Sequence, residues 1–315
     1  MMGIKILKSG LLTTIQDLGR YGYQRDGIIV GGAMDSLALR LGNLLLGNEE
    51  DEAGIEFTLL GGSLLFDSDQ LVTVTGADLS LKIDAVPVPN WKPIIIKKGS
   101  ILSFGRPVAG CRAYLCIKGG FDLEKVLGSH STYLKAGFGG FNGRALHEGD
   151  EIPFRTVLKN ESYKLNWGAD LRLYPDLANH TIRYINGPDH DRFVQPIFKN
   201  PFKISNQADR MGYRLEGSQL RLTEPFELLS TAVTFGTVQV PSDGKPIVLM
   251  ADRQTTGGYP IAAQVISADL PLLAQKKPGD ELLFEETTVE AAQALLVSRE
   301  KLIKQFKQTI LLKYG

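Results

Sequence analysis

Gly279-Asp280-Glu281-Leu282-Leu283-Phe284 reads as a glycine turn that hands the chain to a short apolar strand, and the pattern stands twice more, as Gly99-Ser100-Ile101-Leu102-Ser103-Phe104 and Gly149-Asp150-Glu151-Ile152-Pro153-Phe154. Glycine suits such a turn because it alone enters positive φ without strain. The copies at 149 and 279 lie 130 residues apart, about the length of one domain, so the spacing predicts two related β units of the barrel type. The polar, weakly patterned stretch from Thr156 to Trp167 then marks a boundary near residue 165.

Outward from these turns, short or alternating apolar segments recur at Gly3 to Lys8, Gln70 to Gly76, Ile94 to Phe104, Cys111 to Lys118, Leu171 to Tyr174, Thr181 to Asn186 and Ile247 to Asp252. Gly, Pro or Asp bounds most of them, and each is read as a strand. Helix signals are fewer. Asp35 is placed to cap a segment with Leu37, Leu41, Leu44 and Leu45 on one face, ending near Gly47-Asn48. A short helix is expected through Ala268 to Gln275. The longest is C-terminal, where Thr287 and Glu290 have capping-box spacing ahead of Leu295, Leu302, Ile303, Phe306 and Ile310. Its lysines, Lys301, Lys304, Lys307 and Lys313, suit the negative end of the helix dipole.

Composition narrows the function. The 315 residues carry 35 Lys plus Arg and 35 Asp plus Glu, with no block of like charge, which argues against a nucleic-acid partner. The longest uncharged stretches, Leu228 to Ser242 and Gln254 to Ala268, are rich in Thr, Gly and Gln and fall short of the roughly 20 apolar residues a spanning helix needs. No membrane segment is expected. Met1 to Gly10 has no apolar run of signal-peptide length and only Cys111 and Cys116 are available to a disulfide, so a reducing cytoplasm is the expectation.

Several familiar chemistries are absent. The single Gly-Lys pair, Gly244-Lys245, is followed by Pro246 rather than Ser or Thr, so there is no P-loop. No Gly-x-Ser-x-Gly elbow occurs, and the glycine-rich run Gly137 to Gly143 lacks dinucleotide spacing and reads as a turn. The cysteines lack zinc spacing and are read as core residues. Asp189-His190-Asp191 is read as a solvated loop, and no metal site is expected. No lysine stands between two methionines, so no biotin attachment is expected on this chain.

Four polar, glycine-punctuated segments are hard to explain by packing: Thr13 to Arg20, Gly31 to Asp35, Asp209 to Gly217 and Asp252 to Pro260. Arg20, Arg210 and Arg214 offer forks for a carboxylate or phosphate that lysine would not reproduce. Gln16, Gln254, Thr255 and Thr256 are short neutral donors and acceptors, and N–H groups such as those of Gly257 and Gly258, beside Tyr259, suit a developing oxyanion. Asp17, Asp35 and Asp252 are candidates either for a general base or for holding an arginine in place. Simpler readings stand beside these: turn satisfaction for Asp17, an Asp17–Arg20 pair at helical spacing, a helix cap for Asp35, and an ion-pair lattice of Arg210 and Arg214 with Asp209 and Glu216.

Together with Asn43 to Asn48, Thr75 to Asp78, Leu127 to Thr132, Gly143 to Leu146 and Val240 to Ile247, these segments resemble the second-subunit family of allophanate hydrolase, also called the biotin-dependent carboxyltransferase family, which includes the C component of 5-oxoprolinase and the Kip antagonist. The likeness spans nearly the whole chain. At His130 the family pattern prefers Arg. The resemblance implies a mainly β chain of two cyclophilin-like β-barrel subdomains, with a few short helices and a C-terminal helix. Residues 1–165 would be a carboxyltransferase-like barrel and 166–315 a second barrel carrying the helix. It implies one part of an ATP-dependent 5-oxoprolinase, a hydrolase that opens the cyclic amide 5-oxo-L-proline to L-glutamate together with an A component and a Kip-inhibitor-like B component. ATP would be bound by the complex. On this reading Asp17, Arg20, Asp35, Arg210 and Arg214 are catalytic, while Gln16, Asp252, Gln254, Thr255, Thr256, Gly257, Gly258 and Tyr259 bind substrate. Competing readings are a non-catalytic antagonist of a Kip-like kinase inhibitor, a carboxyltransferase component of a urea carboxylase system, and a lone sugar- or peptide-binding barrel.

Overall fold

A computed structural model describes residues 2–158, 165–224 and 228–314. The chain divides into two units, one of Met1–Arg20, Gly31–Tyr174 and Lys301–Gly315, the other of Tyr21–Val30 and Pro175–Glu300. It is mainly β, with three α-helices among the described residues.

Unit 1 contains β1 (Gly3–Lys8), β2 (Leu12–Gln16), α1 (Ser36–Leu45), β3 (Gly54–Thr58), β4 (Ser63–Phe66), β5 (Gln70–Asp78), β6 (Lys82–Ile83), β7 (Val86–Pro87), β8 (Ile94–Ile96), β9 (Ile101–Ser103), β10 (Ala109–Ile117) and β11 (Glu151–Pro153). These strands form a six-stranded sheet, β11-β1-β4-β9-β6-β7, and a five-stranded sheet, β2-β3-β10-β5-β8. Ile4, Ile6, Leu64, Phe66 and Leu102 of the first sheet share one buried core with Ile15, Ile55, Phe57, Val72, Val74, Ala113, Leu115 and Ile117 of the second. Strand alternation sends Tyr114 and Cys116 of β10 and Leu71 of β5 to the other face, where Leu37, Leu41 and Leu44 of α1 cover them. The five-stranded sheet is thus buried on two sides.

Helix α1 follows the sequence pattern closely. Asp35 Oδ1 accepts from Ala38 N at 3.0 Å, supplying a partner to one of the orphan N–H groups of the first turn. The helix lies tight on β5: Thr73 and Thr75 hydroxyls donate to Gly42 O and Ala38 O, and a Cβ at Gly42 would meet Cys116 Sγ and Thr75 Oγ1 at 2.8 Å. Any larger residue there would push the helix off the sheet.

Unit 2 contains β12 (Thr181–Asn186), β13 (Phe202–Ile204), β14 (Gly212–Glu216), β15 (Thr231–Ala232), β16 (Thr237–Gln239), β17 (Ile247–Leu249), β18 (Thr256–Gly257), β19 (Ile261–Val265), α2 (Leu270–Ala274) and β20 (Glu281–Glu286). Seven strands close a barrel in the order β12-β19-β16-β17-β14-β13-β20, and β20 meets β12 in a parallel pair. Closure removes the exposed sheet edges that an open sheet must protect. Alternate residues such as Ile182 and Tyr184, Phe202 and Ile204, and Tyr213 and Leu215 are buried, as period-2 strands require. Helix α3 (Val289–Tyr314) follows, and its residues from Lys301 onward are counted in unit 1, where Ile303 and Phe306 join the α1 cluster.

The three repeated segments are the same structure. Gly99, Gly149 and Gly279 have φ of 83°, 89° and 92°. Each sits at the third position of a turn closed by Ser100 N to Lys97 O, Asp150 N to His147 O and Asp280 N to Lys277 O. Positive φ at that position alone is the type II turn. Each glycine N–H then donates to one facing strand residue, Phe66, Ile6 or Ile204, whose own N–H returns to the carbonyl after the glycine. Two residues therefore oppose one, which is a glycine bulge leading into β9, β11 and β20.

Two local expectations are corrected. Leu171 to Tyr174 is a 3-10 turn over Leu171–Leu173 rather than a strand, because Asp170 accepts from Arg172 N and from the Arg172 guanidinium. The cap of α3 is Thr288, whose Oγ1 accepts from Ala291 N, so the capping residue lies one position after Thr287.

Candidate functional site

In unit 1 the folded chain gathers Gln16, Asp17, Arg20 and Asp35. Ala33 N donates to Asp17 O at 2.8 Å, seating the Gly31 to Asp35 segment on the end of β2. A Cβ on Gly32, whose φ is 89°, would lie 2.9 Å from Gly19 N, so only glycine permits this approach.

Asp17 is buried and saturated with neutral donors. Its Oδ1 accepts from Ser129 Oγ at 2.7 Å, Gly19 N at 2.8 Å and Ser131 Oγ, and its Oδ2 from His130 N at 2.6 Å. Its own N–H donates to Ser131 Oγ. The loop Gly128 to Thr132 is therefore wrapped around one carboxylate. His130 turns Nδ1 toward Glu124 O, and burial pushes its imidazole below the usual value while Asp17 pulls the other way.

Arg20 is 1% exposed. Its Nε donates to Val126 O and its Nη2 to Ser131 O, and the guanidinium stacks 4.8 Å from the centre of the Phe138 ring. The glycine-rich run is the lid over this group: a Cβ on Gly139 would stand 2.2 Å from Ser131 O, and one on Gly140 1.9 Å from Thr132 Oγ1. These glycines face their own protein, so the run does not form a phosphate cradle.

Asp35, fully buried, joins a second network. While its Oδ1 caps α1, its Oδ2 accepts from the Tyr174 hydroxyl and its N–H donates to Tyr114 Oη. Tyr114 in turn donates to Glu56 Oε2, which also takes Met34 N. Burial, then the nearby carboxylates, raise the Tyr114 phenol well above its ordinary value. Gln16 donates to Thr14 Oγ1, and its buried Oε1 has no donor among the described residues.

In unit 2, Arg210 and Asp252 form a bidentate pair, Nε to Oδ2 at 2.9 Å and Nη2 to Oδ1 at 3.0 Å, with each side chain about 5% exposed. Asp252 N also donates to Arg210 O. Asp252 thus holds an arginine, as one of its two candidate roles requires. Asp209 closes a turn through Met211 N and Gly212 N. Arg214 stands apart, exposed on β14, and borders a pocket of about 250 Å³ together with Lys245, Asp243 and Tyr259. Gln254, Thr255 and Thr256 lead into the β18–β15 ladder. Gly257 is buried against Gln239, whose Nε2 would lie 2.4 Å from an added Cβ and donates to Tyr259 O. Gly258 and Tyr259 border a larger pocket, about 780 Å³, with Leu220, Arg221, Pro241 and Ser242.

Sequence reading passed over the Asp17 ligands Ser129 and Ser131 as individual residues, together with Glu56, Tyr114 and Tyr174. Their signal is contact across more than 50 positions, which spacing does not carry. Cys111 and Cys116 are free and buried, and burial pushes the Cys116 thiol far up, away from nucleophile chemistry. Among the described residues no cluster of His, Cys, Asp and Glu suits a metal, and no helix is long and apolar enough to cross a membrane.

The chain has known counterparts. The family model of the carboxyltransferase domain, subdomain A and B, matches residues 26–286, and the chain belongs to that family. It is 40% identical over 313 residues to the C component of 5-oxoprolinase from Haemophilus influenzae, covering 98% of each chain, and 40% identical to the C component from Escherichia coli over 97% of each. It is 32% identical to urea amidolyase of Saccharomyces cerevisiae over 97% of this chain but 18% of that protein. Among solved structures, the Kluyveromyces lactis urea amidolyase superposes with a TM-score of 0.89 at 30% identity, over 96% of this chain and 20% of that one. The chain thus spans about a fifth of that enzyme. TTHA0988 matches with a TM-score of 0.78 at 29% identity, over 90% of this chain and 55% of that one.

Proposed function

We propose that this chain is the C component of an ATP-dependent 5-oxoprolinase, working with an A component and a Kip-inhibitor-like B component in a cytoplasmic hetero-oligomer that opens 5-oxo-L-proline to L-glutamate. The observation that carries this is end-to-end similarity, 98% of each chain, to a protein named as the C component of 5-oxoprolinase. The two units stand for the two subdomains of the family. The urea amidolyase likeness favours a carboxyltransferase component as the second reading, with less force, because it covers a fifth or less of those proteins.

The residues divide by accessibility. Asp17, Arg20 and Asp35 are enclosed by protein partners and act as positioning residues, holding the β2 end and the Gly31 to Asp35 segment in place. Arg210 and Asp252 anchor the start of the Gln254 to Tyr259 run. That run supplies the substrate contacts: Gln254, Thr255 and Thr256 orient the lactam, and the backbone around Gly257, Gly258 and Tyr259 meets the carbonyl oxygen as it gains charge. No group of this chain is assigned to ATP, which the complex as a whole binds, and none to biotin.

The test is formation of glutamate and ADP by the A, B and C components mixed together, with this chain included or omitted and urea plus bicarbonate as the control. Turnover that requires this chain and 5-oxoproline supports the proposal. Turnover of urea alone would replace it with the carboxyltransferase reading, and an inert mixture in which this chain still binds the B component would replace it with the antagonist.

A further inference from the structure

Arg253 of unit 2 has weaker polar contacts than the ion-paired arginines of that unit. Arg183, Arg192 and Arg210 each face a carboxylate, Asp269, Asp189 and Asp252 respectively. Arg214 and Arg221 extend into solvent. Arg253 is half-buried, yet its closest acceptors are three main-chain carbonyls at the outer limit of hydrogen bonding: Ala251 O at 3.4 Å, and Met250 O and Val233 O at 3.5 Å. Its Nη2 has no acceptor among the described residues.

A half-buried guanidinium with weak polar contacts carries a desolvation cost, and burial pulls the Arg253 pKa down, with Tyr21 and Asp252 acting the other way. Asp252 does not discharge that cost, because its two oxygens take the Arg210 fork at 2.9 and 3.0 Å. Tyr21, from the Tyr21–Val30 stretch of the same unit, is 68% exposed and lies close enough to act on Arg253 electrostatically. Arg253 is also held in place: Val233, whose carbonyl takes the Arg253 Nε–H, donates its own N–H to Thr255 O at 3.2 Å, tying the arginine to the run that carries the substrate contacts. The three contacts, from Nε and Nη1, are long, and they leave a fork that can shift by a few tenths of an ångström onto a better acceptor.

We propose that Arg253 receives the oxyanion of the ligand, which, resting on the function proposed above, is the carboxylate of 5-oxoproline. A planar carboxylate satisfies two N–H groups at once, and Tyr21 lies near the same guanidinium. A phosphate oxygen has the same chemistry, and the experiment separates the two.

Phenylglyoxal condenses with accessible guanidinium groups, and its uptake at Arg253 is read on the full-length chain by peptide mass mapping, with the exposed Arg106 as the internal reference. The probes are 5-oxo-L-proline, 2-pyrrolidinone, which keeps the lactam and lacks the carboxylate, acetate and inorganic phosphate. Protection of Arg253 by about tenfold with 5-oxo-L-proline and none with 2-pyrrolidinone is the expected result. Protection by acetate or phosphate but not by 5-oxo-L-proline keeps the oxyanion site while removing the 5-oxoproline reading. Labelling of Arg253 that no anion slows overturns the proposal. As a second measurement, Arg253→Lys in the active complex should raise KM for 5-oxoproline by about tenfold with a smaller change in kcat, because a point charge replaces a fork. An unchanged KM in that folded variant also overturns it.

Discussion

Asp17 in unit 1 and Asp252 in unit 2 are equally buried, each 5% exposed, and are held in opposite ways. Asp17 takes two hydroxyls and two main-chain N–H groups, all neutral. Asp252 takes a guanidinium fork and adds a main-chain bond. The first arrangement spreads one charge over many weak donors, so losing one leaves the others. The second places an opposite charge directly on the carboxylate, so losing the fork removes a charged partner from a buried ion. The contrast separates a network that degrades gradually from one that fails at once.

The widest separation should come from Arg210→Ala, which takes the guanidinium fork from buried Asp252 and is expected to cost about 3–5 kcal/mol in urea unfolding, against about 1 kcal/mol for Ser131→Ala in unit 1. Equal losses would erase the distinction. Gly139→Ala should follow at about 3 kcal/mol, since φ is 72° and the new methyl would meet Ser131 O at 2.2 Å. Arg20 and the Asp17 loop should loosen together, visible as faster amide exchange at His130 and Ser131. Asp17→Asn should cost about 2 kcal/mol, because the hydroxyls of Ser129 and Ser131 can turn but the Gly19 and His130 amides cannot. The three turn glycines probe the contrast from the other side. Gly99→Ala, Gly149→Ala and Gly279→Ala should each cost about 1 kcal/mol, alike in the two units, because the backbone conformation is shared and no atom stands closer than 3.9 Å. A large difference among them would show that one turn carries more than its conformation.

The smallest effect is a pH slope from His130. In the folded chain its pKa lies below the ordinary value of 6.5, chiefly through burial. The unfolded chain therefore takes up the proton first as pH falls. Stability is full above the ordinary value and declines with falling pH through the window down to the lower folded pKa. His130→Gln should flatten this part of the stability–pH curve, measured by urea unfolding from about pH 8 to about pH 5. A slope that survives the substitution would assign it to another group.

What was legible in the sequence was local. The cap at Asp35 with Leu37, Leu41, Leu44 and Leu45, and the three glycine turns, are set by neighbours within a few residues, and they fold as read. Leu171 to Tyr174 shows the limit of local reading: Leu-Arg-Leu-Tyr alternates like a strand, but the Asp170 carboxylate captures the Arg172 N–H and bends the chain. The candidate site was legible as segments and illegible as partners. Asp17 is 112 to 114 positions from Ser129, His130 and Ser131, which hold it together with Gly19, and Arg20 is 106 positions from Val126. The Gly137 to Gly143 run forms turns as read, but spacing does not reveal that Gly139 and Gly140 also pass close to Ser131 and Thr132. The parallel β12–β20 pair, about 100 residues apart in the chain, left no local mark either.

The threading of the chain bears on how the protein is made. Unit 1 includes Lys301–Gly315, and unit 2 includes Tyr21–Val30, so neither is a continuous stretch of polypeptide. A ribosome delivers the two sheets of unit 1 first, then every strand of the barrel, and only afterwards the helical turns that carry Ile303 and Ile310 into their buried places. Until that segment is made, the cluster that packs around α1 lacks Ile303 and Phe306. A chain cut before Lys301 would therefore keep every strand of the barrel and leave the first unit without Ile303 and Phe306.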